Sequence, residues 1–234
     1  MCEYENPLRP PLELLRPHES HGQSKSKADI LQVGDNADKV ARFITFADAT
    51  ALVEDSALPQ TPEELGELAR RLVLELEQRG IRTALNTIVP MKDKDFNDAL
   101  FITAYNIKFA GELETLPLDE QRRCVLAQKD LWEKLYGYYE AKIHSHEPFL
   151  WDITPSYQYA WGTREGDTEN HLYLVDVDTR ISTKRQRLLS CLNHLSFQVN
   201  IAKASARFKK FPEISLDELL KQVQKAKEMV ASSL

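Results

Sequence analysis

Residues 149–181 read FLWDITPSYQYAWGTREGDTENHLYLVDVDTRI, a stretch in which acids stand at the ends of apolar runs. Asp152 follows the first run, and Asp176 and Asp178 end the apolar segment LYLV. Between these acids lie two strand-like runs joined by a polar, glycine-containing loop, which predicts a β-hairpin. A carboxylate at the end of a buried strand is costly without a partner or a metal ion. This stretch is therefore the first candidate for a cation or phosphate site.

The same acids also have purely structural explanations. The sequence D-I-T-P-S, which starts at Asp152, is typical of a turn or a helix cap. Asp176 and Asp178 could form salt bridges at the end of the strand with Arg180 or Lys184. Both interpretations stay open at this point.

The composition is that of an ordinary globular protein. The chain has 234 residues, of which 42% are hydrophobic and 28% are charged, enough to bury a sizeable core. A net charge of −6 argues against a general nucleic-acid-binding surface. No run approaches the roughly 20 apolar residues of a membrane span, and the acidic, proline-rich start does not resemble a signal peptide. We therefore expect a cytoplasmic protein that binds neither membrane nor specific nucleic acid.

Four elements precede this stretch. Hydrophobic periodicity and turn residues predict a hairpin, a helix, a second hairpin and a long helix, at residues 28–45, 61–80, 83–105 and 117–143. Thr61, Pro62 and Glu64 form a capping-box pattern at the start of the first helix. Pro90 is expected to end the first strand of the second hairpin.

Helices are also predicted after the acids. Residues 182–208 form an amphipathic helix with a basic outer face, and a last helix starts near Ser215. Residues 1–20 hold four prolines and are expected to be extended.

This order of elements resembles that of the protein-kinase-like fold, which the aminoglycoside and choline phosphotransferases share. The resemblance covers residues 20–210 and rests on element order and a few acids. It implies an α+β, two-lobed fold with a small antiparallel sheet lobe, a mostly helical lobe and a reduced C-terminus. The implied divisions are an extended segment at 1–20, a sheet lobe at 21–105 and a helical lobe at 106–234.

The resemblance also assigns roles to the acids. Asp152 takes the place of the carboxylate that orients or deprotonates the acceptor hydroxyl. Asp176 takes the place of the metal-binding acid, with Asp178 close by, and Gln158 is the nearest amide ligand. The implied cofactors are ATP and Mg²⁺, and the implied acceptor is a small molecule.

The nucleotide side of the site is implied by position alone. Backbone groups near Tyr105 and Ile107 would meet the adenine. Arg42 stands at the family's phosphate-pairing lysine, with Lys39 three residues earlier. The helical glutamate that would pair with this cation is open among Glu54, Glu64 and Glu67.

Several departures from the family pattern keep two functions open. Gly22 is the only glycine where a glycine-rich loop is expected, and Arg42 replaces a lysine, which is not a conservative change. Gln158 is one place late and longer than the usual asparagine. The chain is either a phosphotransferase or a non-catalytic, pseudokinase-type module that binds a nucleotide or a protein. In the second case the basic helix at 184–210 is the expected docking surface.

Overall fold

The computed structural model describes residues 15–17, 30–33, 39–53, 59, 61–92, 97–177 and 179–234. The predictions for Gly22, Glu54 and Asp178 lie outside these residues. The ten strands of the described part are β1 (Leu15–Pro17), β2 (Ile30–Val33), β3 (Lys39–Thr45), β4 (Leu85–Lys92), β5 (Asp98–Tyr105), β6 (Lys108–Phe109), β7 (Phe149–Leu150), β8 (Tyr159–Thr163), β9 (His171–Leu174) and β10 (Ile181–Ser182). Its helices are α1 (Phe46–Ala51), α2 (Pro62–Gln78), α3 (Leu118–Ser145), α4 (Arg185–Ala204), α5 (Ala206–Lys209) and α6 (Asp217–Ala231).

Both predicted N-terminal hairpins belong to one antiparallel sheet. Its strand order is β1-β2-β3-β5-β4, so the two hairpins join where β3 pairs with β5. Lys39 lies opposite Tyr105 and Arg42 opposite Ile102 in that register. The α+β class is confirmed, with a small antiparallel sheet followed by a mostly helical part.

Strand β4 differs from its prediction because it continues through Pro90. Pro90 pairs with Leu100 of β5, and the strand ends at Lys92. Since β4 is an edge of the sheet, the missing N–H of proline interrupts no ladder. At the edge of the sheet, proline therefore costs no hydrogen bond, and the reason for expecting the strand to end at Pro90 does not apply.

Helix α2 covers this sheet and starts as predicted. The Thr61 side chain accepts a hydrogen bond from the Glu64 N–H at 3.2 Å, and Pro62 is the first helical residue. The buried face of α2 is apolar, and the helix packs on β4 and β5. Gly80, at a φ of +77°, follows the helix in the left-handed region that glycine favours.

The helical part is built around α3, which packs against α4 and α6. One hydrophobic cluster runs from Ile44 of the sheet through α2 and α3 to Val230 of α6. The domain limits at residues 20 and 105 stay predictions. None of the described helices has the length and apolar character that crossing a membrane requires.

The predicted basic helix is divided into two. Helix α4 ends at Ala204, and Ser205 caps α5 by accepting a hydrogen bond from the Phe208 N–H at 3.3 Å. A serine three residues before the capped amide is a start signal, so the break has a local cause.

A buried ionic cluster joins α2 to the end of α3. Lys142 is only 3% exposed and donates to Glu75 of α2 at 2.7 Å and to Glu147 at 3.4 Å. Arg79 donates to the Glu75 carboxylate at 3.4 Å and to the Gly137 carbonyl at 3.0 Å. We call Lys142, Glu75, Glu147 and Arg79 the Lys142 cluster.

Candidate active site

Asp152 is positioned by a short strand pair that the sequence did not reveal. Strand β7 pairs with β10 so that Leu150 lies opposite Ile181, and the Trp151 N–H donates to the Arg180 carbonyl at 3.0 Å. This pairing brings the segment after α3 beside the segment after Asp176. Asp152 thereby comes next to Arg180.

Two buried tyrosines of α3 hold this strand pair in place. The Tyr138 hydroxyl accepts from the Leu150 N–H at 2.9 Å, and the Tyr139 hydroxyl donates to the Leu150 carbonyl at 3.4 Å. Burial raises the pKa of both hydroxyls, which therefore stay neutral.

The Asp152 carboxylate is partly buried and forms an ion pair with Arg180. The Gln158 side-chain amide also donates to it, at 3.3 Å. Both bonds end on Oδ2, so Oδ1 carries no hydrogen bond from any described residue. Burial is the main cause that raises the pKa of Asp152, and the charge of Asp176 adds to it. Arg180 and His194 act in the opposite direction.

Gln158 closes a 3₁₀ turn, Ser156–Gln158, and is 2% exposed. Its Oε1 is buried and has no hydrogen-bond partner among the described residues. Its backbone carbonyl accepts from the Val175 N–H at 2.8 Å, next to Asp176. Since buried acceptors are nearly always paired, this oxygen indicates a missing partner such as a ligand, a cation or a water.

Asp176 lies two residues after β9, as the resemblance requires. Its charge influences the pKa of Asp152 and also that of Tyr157, which is raised chiefly by burial and secondarily by Asp152. The structure thus brings Asp152, Gln158 and Asp176 together. We call these three residues and Arg180 the acid site.

The residues predicted to contact the nucleotide lie elsewhere on the chain. Tyr105 ends β5, where its N–H donates to the Ala84 carbonyl at 2.7 Å, and Ile107 precedes β6. Arg42 and Lys39 lie on β3, in register with β5. These are backbone positions only, and the roles of the four residues stay predictions.

Some of the remaining predicted residues, on α2 and on the basic helix, already form contacts within the chain. Glu67 forms an ion pair with Arg70 of the same helix at 2.6 Å. Of the basic side chains at 184–210, Arg185, Lys203, Arg207 and Lys210 hydrogen-bond within the chain, to Ser233, Asp217, Glu114 and Gln121. Their use in folding leaves a smaller basic surface for a partner than the sequence suggests.

Sequence reasoning missed the importance of three residues around Asp152. Arg180 was considered only as a partner for Asp176 or Asp178, yet it pairs with Asp152. Trp151 lies under Arg187, whose guanidinium carbon is 4.1 Å from the ring centroid, and His194 was not singled out. The Asp152–Arg180 contact depends on the β7–β10 pairing. Strands of two residues are too short to give a recognisable sequence pattern.

The acid site fits a magnesium ion only with help from its amide. In the described residues no group of three His, Cys, Asp or Glu side chains is placed to hold a metal ion. Mg²⁺ commonly takes one or two carboxylates together with waters and substrate phosphates. The Oε1 of Gln158, which has no hydrogen-bond partner among the described residues, suits that kind of site.

The comparisons with known proteins add little to this geometry. No family model matches the chain, and no curated protein matches it at a significant level. The chain is similar to a solved structure described as "WaaP in complex with acyl carrier protein", at 12% identity over 89% of this chain and 87% of that one, with a TM-score of 0.45. At this level neither the activity nor the partner of that protein transfers. The fold assignment therefore rests on the strands and helices described above.

Proposed function

We propose that the chain transfers a phosphoryl group from a Mg²⁺-bound nucleotide to a hydroxyl of a small molecule. The observation that carries this proposal is the convergence of Asp152, Gln158 and Asp176, with a buried amide oxygen that has no hydrogen-bond partner in the described part of the chain. Phosphoryl transfer needs mainly positioning and charge stabilisation. Asp176 and Gln158 offer oxygen ligands for a cation, and Asp152 offers a carboxylate that can accept the proton of the attacking hydroxyl.

Asp152 is the residue that would receive the acceptor hydroxyl. Arg180 and Gln158 hold Oδ2, which fixes the carboxylate and leaves Oδ1 to accept the hydroxyl proton. A raised pKa makes this carboxylate a stronger base than an ordinary aspartate. The ion pair with Arg180 opposes this rise in pKa and favours the ionised form.

Asp176 and the Oε1 of Gln158 would hold the cation, together with Asp178 if it lies as the sequence predicts. Bound Mg²⁺ would neutralise the charge of the nucleotide phosphates. The nucleotide itself would lie toward Tyr105 and Ile107, with Arg42 or Lys39 on its phosphates.

Titration calorimetry with ATP, in the presence and absence of Mg²⁺, tests the proposal. We expect Asp176→Asn to remove the Mg²⁺ dependence of binding, because it removes an anionic ligand. Asp152→Asn should keep Mg·ATP binding but lower the rate of phosphoryl release to water or acceptor by about 100-fold, as loss of a general base does. Asp130→Asn, an exposed acid of α3, is the matched control and should change neither quantity.

A non-catalytic module is the second candidate, and the Arg180–Asp152 ion pair favours it. A carboxylate already neutralised by a guanidinium accepts a proton less readily. In that case Mg·ATP would bind and Asp152→Asn would leave a negligible turnover unchanged. Absence of any binding at millimolar ATP would contradict both candidates as far as the nucleotide is concerned.

A further inference from the structure

A cavity of about 300 Å³ lies on the α3 side of the hairpin β8–β9, apart from the acid site. Its walls come from β6, the following 3₁₀ turn (Leu113–Thr115), α3, β8, β9 and α5. Half of the fourteen lining residues have large apolar or aromatic side chains: Phe109, Leu113, Leu131, Trp132, Tyr159, Trp161 and Leu172. A space of this size is within the range of small-molecule sites, which are typically about 300–1,000 Å³ and largely apolar.

The mouth of the cavity is built by a close backbone approach. Phe109 is 62% exposed and lies opposite Gly162 in the β6–β8 pairing. A side chain at Gly162 would place Cβ only 2.2 Å from the Lys108 carbonyl oxygen. Glycine at this position therefore allows β6 to hold an aromatic ring at the rim, where it stays uncovered.

The charges around the cavity favour an uncharged occupant. Arg207 at the rim is already paired with Glu114 at 3.2 Å, and Glu112 adds an acid. Burial raises the pKa of the Cys124 thiol in the wall to about 11, so this group is neutral. Gln128 and Ser156 provide hydrogen-bonding groups without charge. An anion would meet the acids at the mouth, and within the described part of the chain the sole rim cation is paired.

The cavity also touches the loop that carries Asp152. Ser156 begins the 3₁₀ turn that ends at Gln158, and the Tyr159 hydroxyl donates to the Ile153 carbonyl. A molecule packed against Tyr159 and Ser156 would restrict the same loop that positions Asp152 and Gln158.

We propose that this cavity binds an uncharged, largely apolar small molecule, and that its occupation fixes the loop at residues 151–159. This site is separate from the one proposed for phosphoryl transfer and does not depend on it.

The neutral fluorophore N-phenyl-1-naphthylamine is a suitable probe, because 8-anilinonaphthalene-1-sulfonate has the same ring system with one added sulfonate group, which brings a negative charge. We expect saturable binding of the neutral dye with one site per chain, and binding of the sulfonate weaker by at least about tenfold. Gln128→Trp fills the cavity from α3 and should weaken dye binding by at least about tenfold. Leu126→Trp, on an exposed position of α3 outside the cavity, should leave it unchanged.

Two further measurements separate this site from the acid site. Saturating Mg·ATP should not displace the dye, and dye binding should slow amide hydrogen exchange at 151–159 but not in α2. Failure of the dye to bind, equal effects of the two tryptophan variants, or displacement by Mg·ATP would overturn the site. Unchanged exchange at 151–159 would overturn its link to the loop. A circular dichroism spectrum and melting curve matched to the unmodified chain confirm that Gln128→Trp is folded.

Discussion

The Lys142 cluster and the acid site are two ionic groups that each contain a buried polar side chain, Lys142 or Gln158, and they differ in how many of their polar atoms are hydrogen-bonded. In the Lys142 cluster the buried cation contacts both acids, Glu75 and Glu147, and Arg79 adds a second cation to Glu75. In the acid site Asp152 forms an ion pair with one arginine, Arg180. Its pKa is raised, mainly by burial and also by the negative charge of Asp176. The Lys142 cluster therefore suits the packing of α2 against α3, whereas the acid site keeps polar atoms available for a ligand.

The buried atoms without partners sharpen this difference. Arg79 leaves only its Nε unpaired in the Lys142 cluster, while its two terminal nitrogens are bonded. In the acid site the side-chain oxygen of Gln158 has no hydrogen-bond partner among the described residues, and the same holds for the indole nitrogen of Trp151, the residue before Asp152. Unsatisfied groups lower stability, and they persist where a ligand supplies the partner. Substitutions in the two regions should therefore affect stability and binding in opposite proportions.

The largest expected effect is on stability, at Lys142. Lys142→Met removes the buried cation and leaves Glu75 and Glu147 without it, which should lower the free energy of unfolding by about 3 kcal/mol. Denaturant unfolding measures this change. Lys221→Met, which breaks the exposed pair with Glu218, is the control and should cost less than about 1 kcal/mol. Equal losses in the two variants would mean that the Lys142 cluster is not a buried clamp.

A smaller effect on stability, but a large one on binding, is expected at Gln158. Gln158→Met keeps the volume, removes the unpartnered oxygen and loses the 3.3 Å bond to Asp152. These changes oppose each other, so the free energy of unfolding should stay within about 1 kcal/mol of the unmodified value. Binding of Mg²⁺ with ATP should be lost. A stability loss as large as that of Lys142→Met would show that the amide oxygen has a structural partner.

The smallest expected effect is a pH dependence of stability due to Asp152. Its pKa in the folded chain is raised above 3.8, the ordinary value of an aspartate. The folded state therefore holds this proton to higher pH than the unfolded chain does. Stability from this group is present below 3.8 and is lost as pH rises through the raised pKa.

Unfolding by denaturant, measured at several pH values above 3.8, checks this dependence. The free energy of unfolding of the unmodified chain should fall relative to that of Asp152→Asn as pH rises. A difference that grew in the other direction would mean that Arg180 outweighs burial at this carboxylate.

The fold was predictable where hydrophobic periodicity or a capping residue gives a local sequence signal. The start of α2 at Thr61, the hairpin around Gly166 and the long helix after Pro117 follow from such signals. The passage of β4 through Pro90 did not, because it depends on which strand lies at the edge of the sheet. The division of the basic helix at Ser205 had a local signal that amphipathic spacing obscured.

For the acid site, the sequence pointed to candidate residues, whose roles stay predictions, but not to the contacts that these residues make. The order of elements pointed to Asp152, Gln158 and Asp176, and the structure brings them together. The partner of Asp152 was missed because Arg180 reaches it only through the two-residue pairing of β7 with β10. Tyr138, which holds that pairing, looked like any other aromatic residue of α3. Contacts between residues that are distant in the sequence produce no periodic pattern in it, so they could not be predicted this way.

The hydrophobic cluster that links the sheet to α6 has a consequence for how the chain unfolds. Because Ile44, α2 and Val230 belong to one core, opening any of these elements exposes apolar surface on the others. Such a chain forms a single cooperative unit, in which core amides exchange hydrogen only through global unfolding. We therefore expect the slowest-exchanging amides of β5 and α6 to show the same opening free energy, and a fragment that stops at residue 105 to remain unfolded by itself.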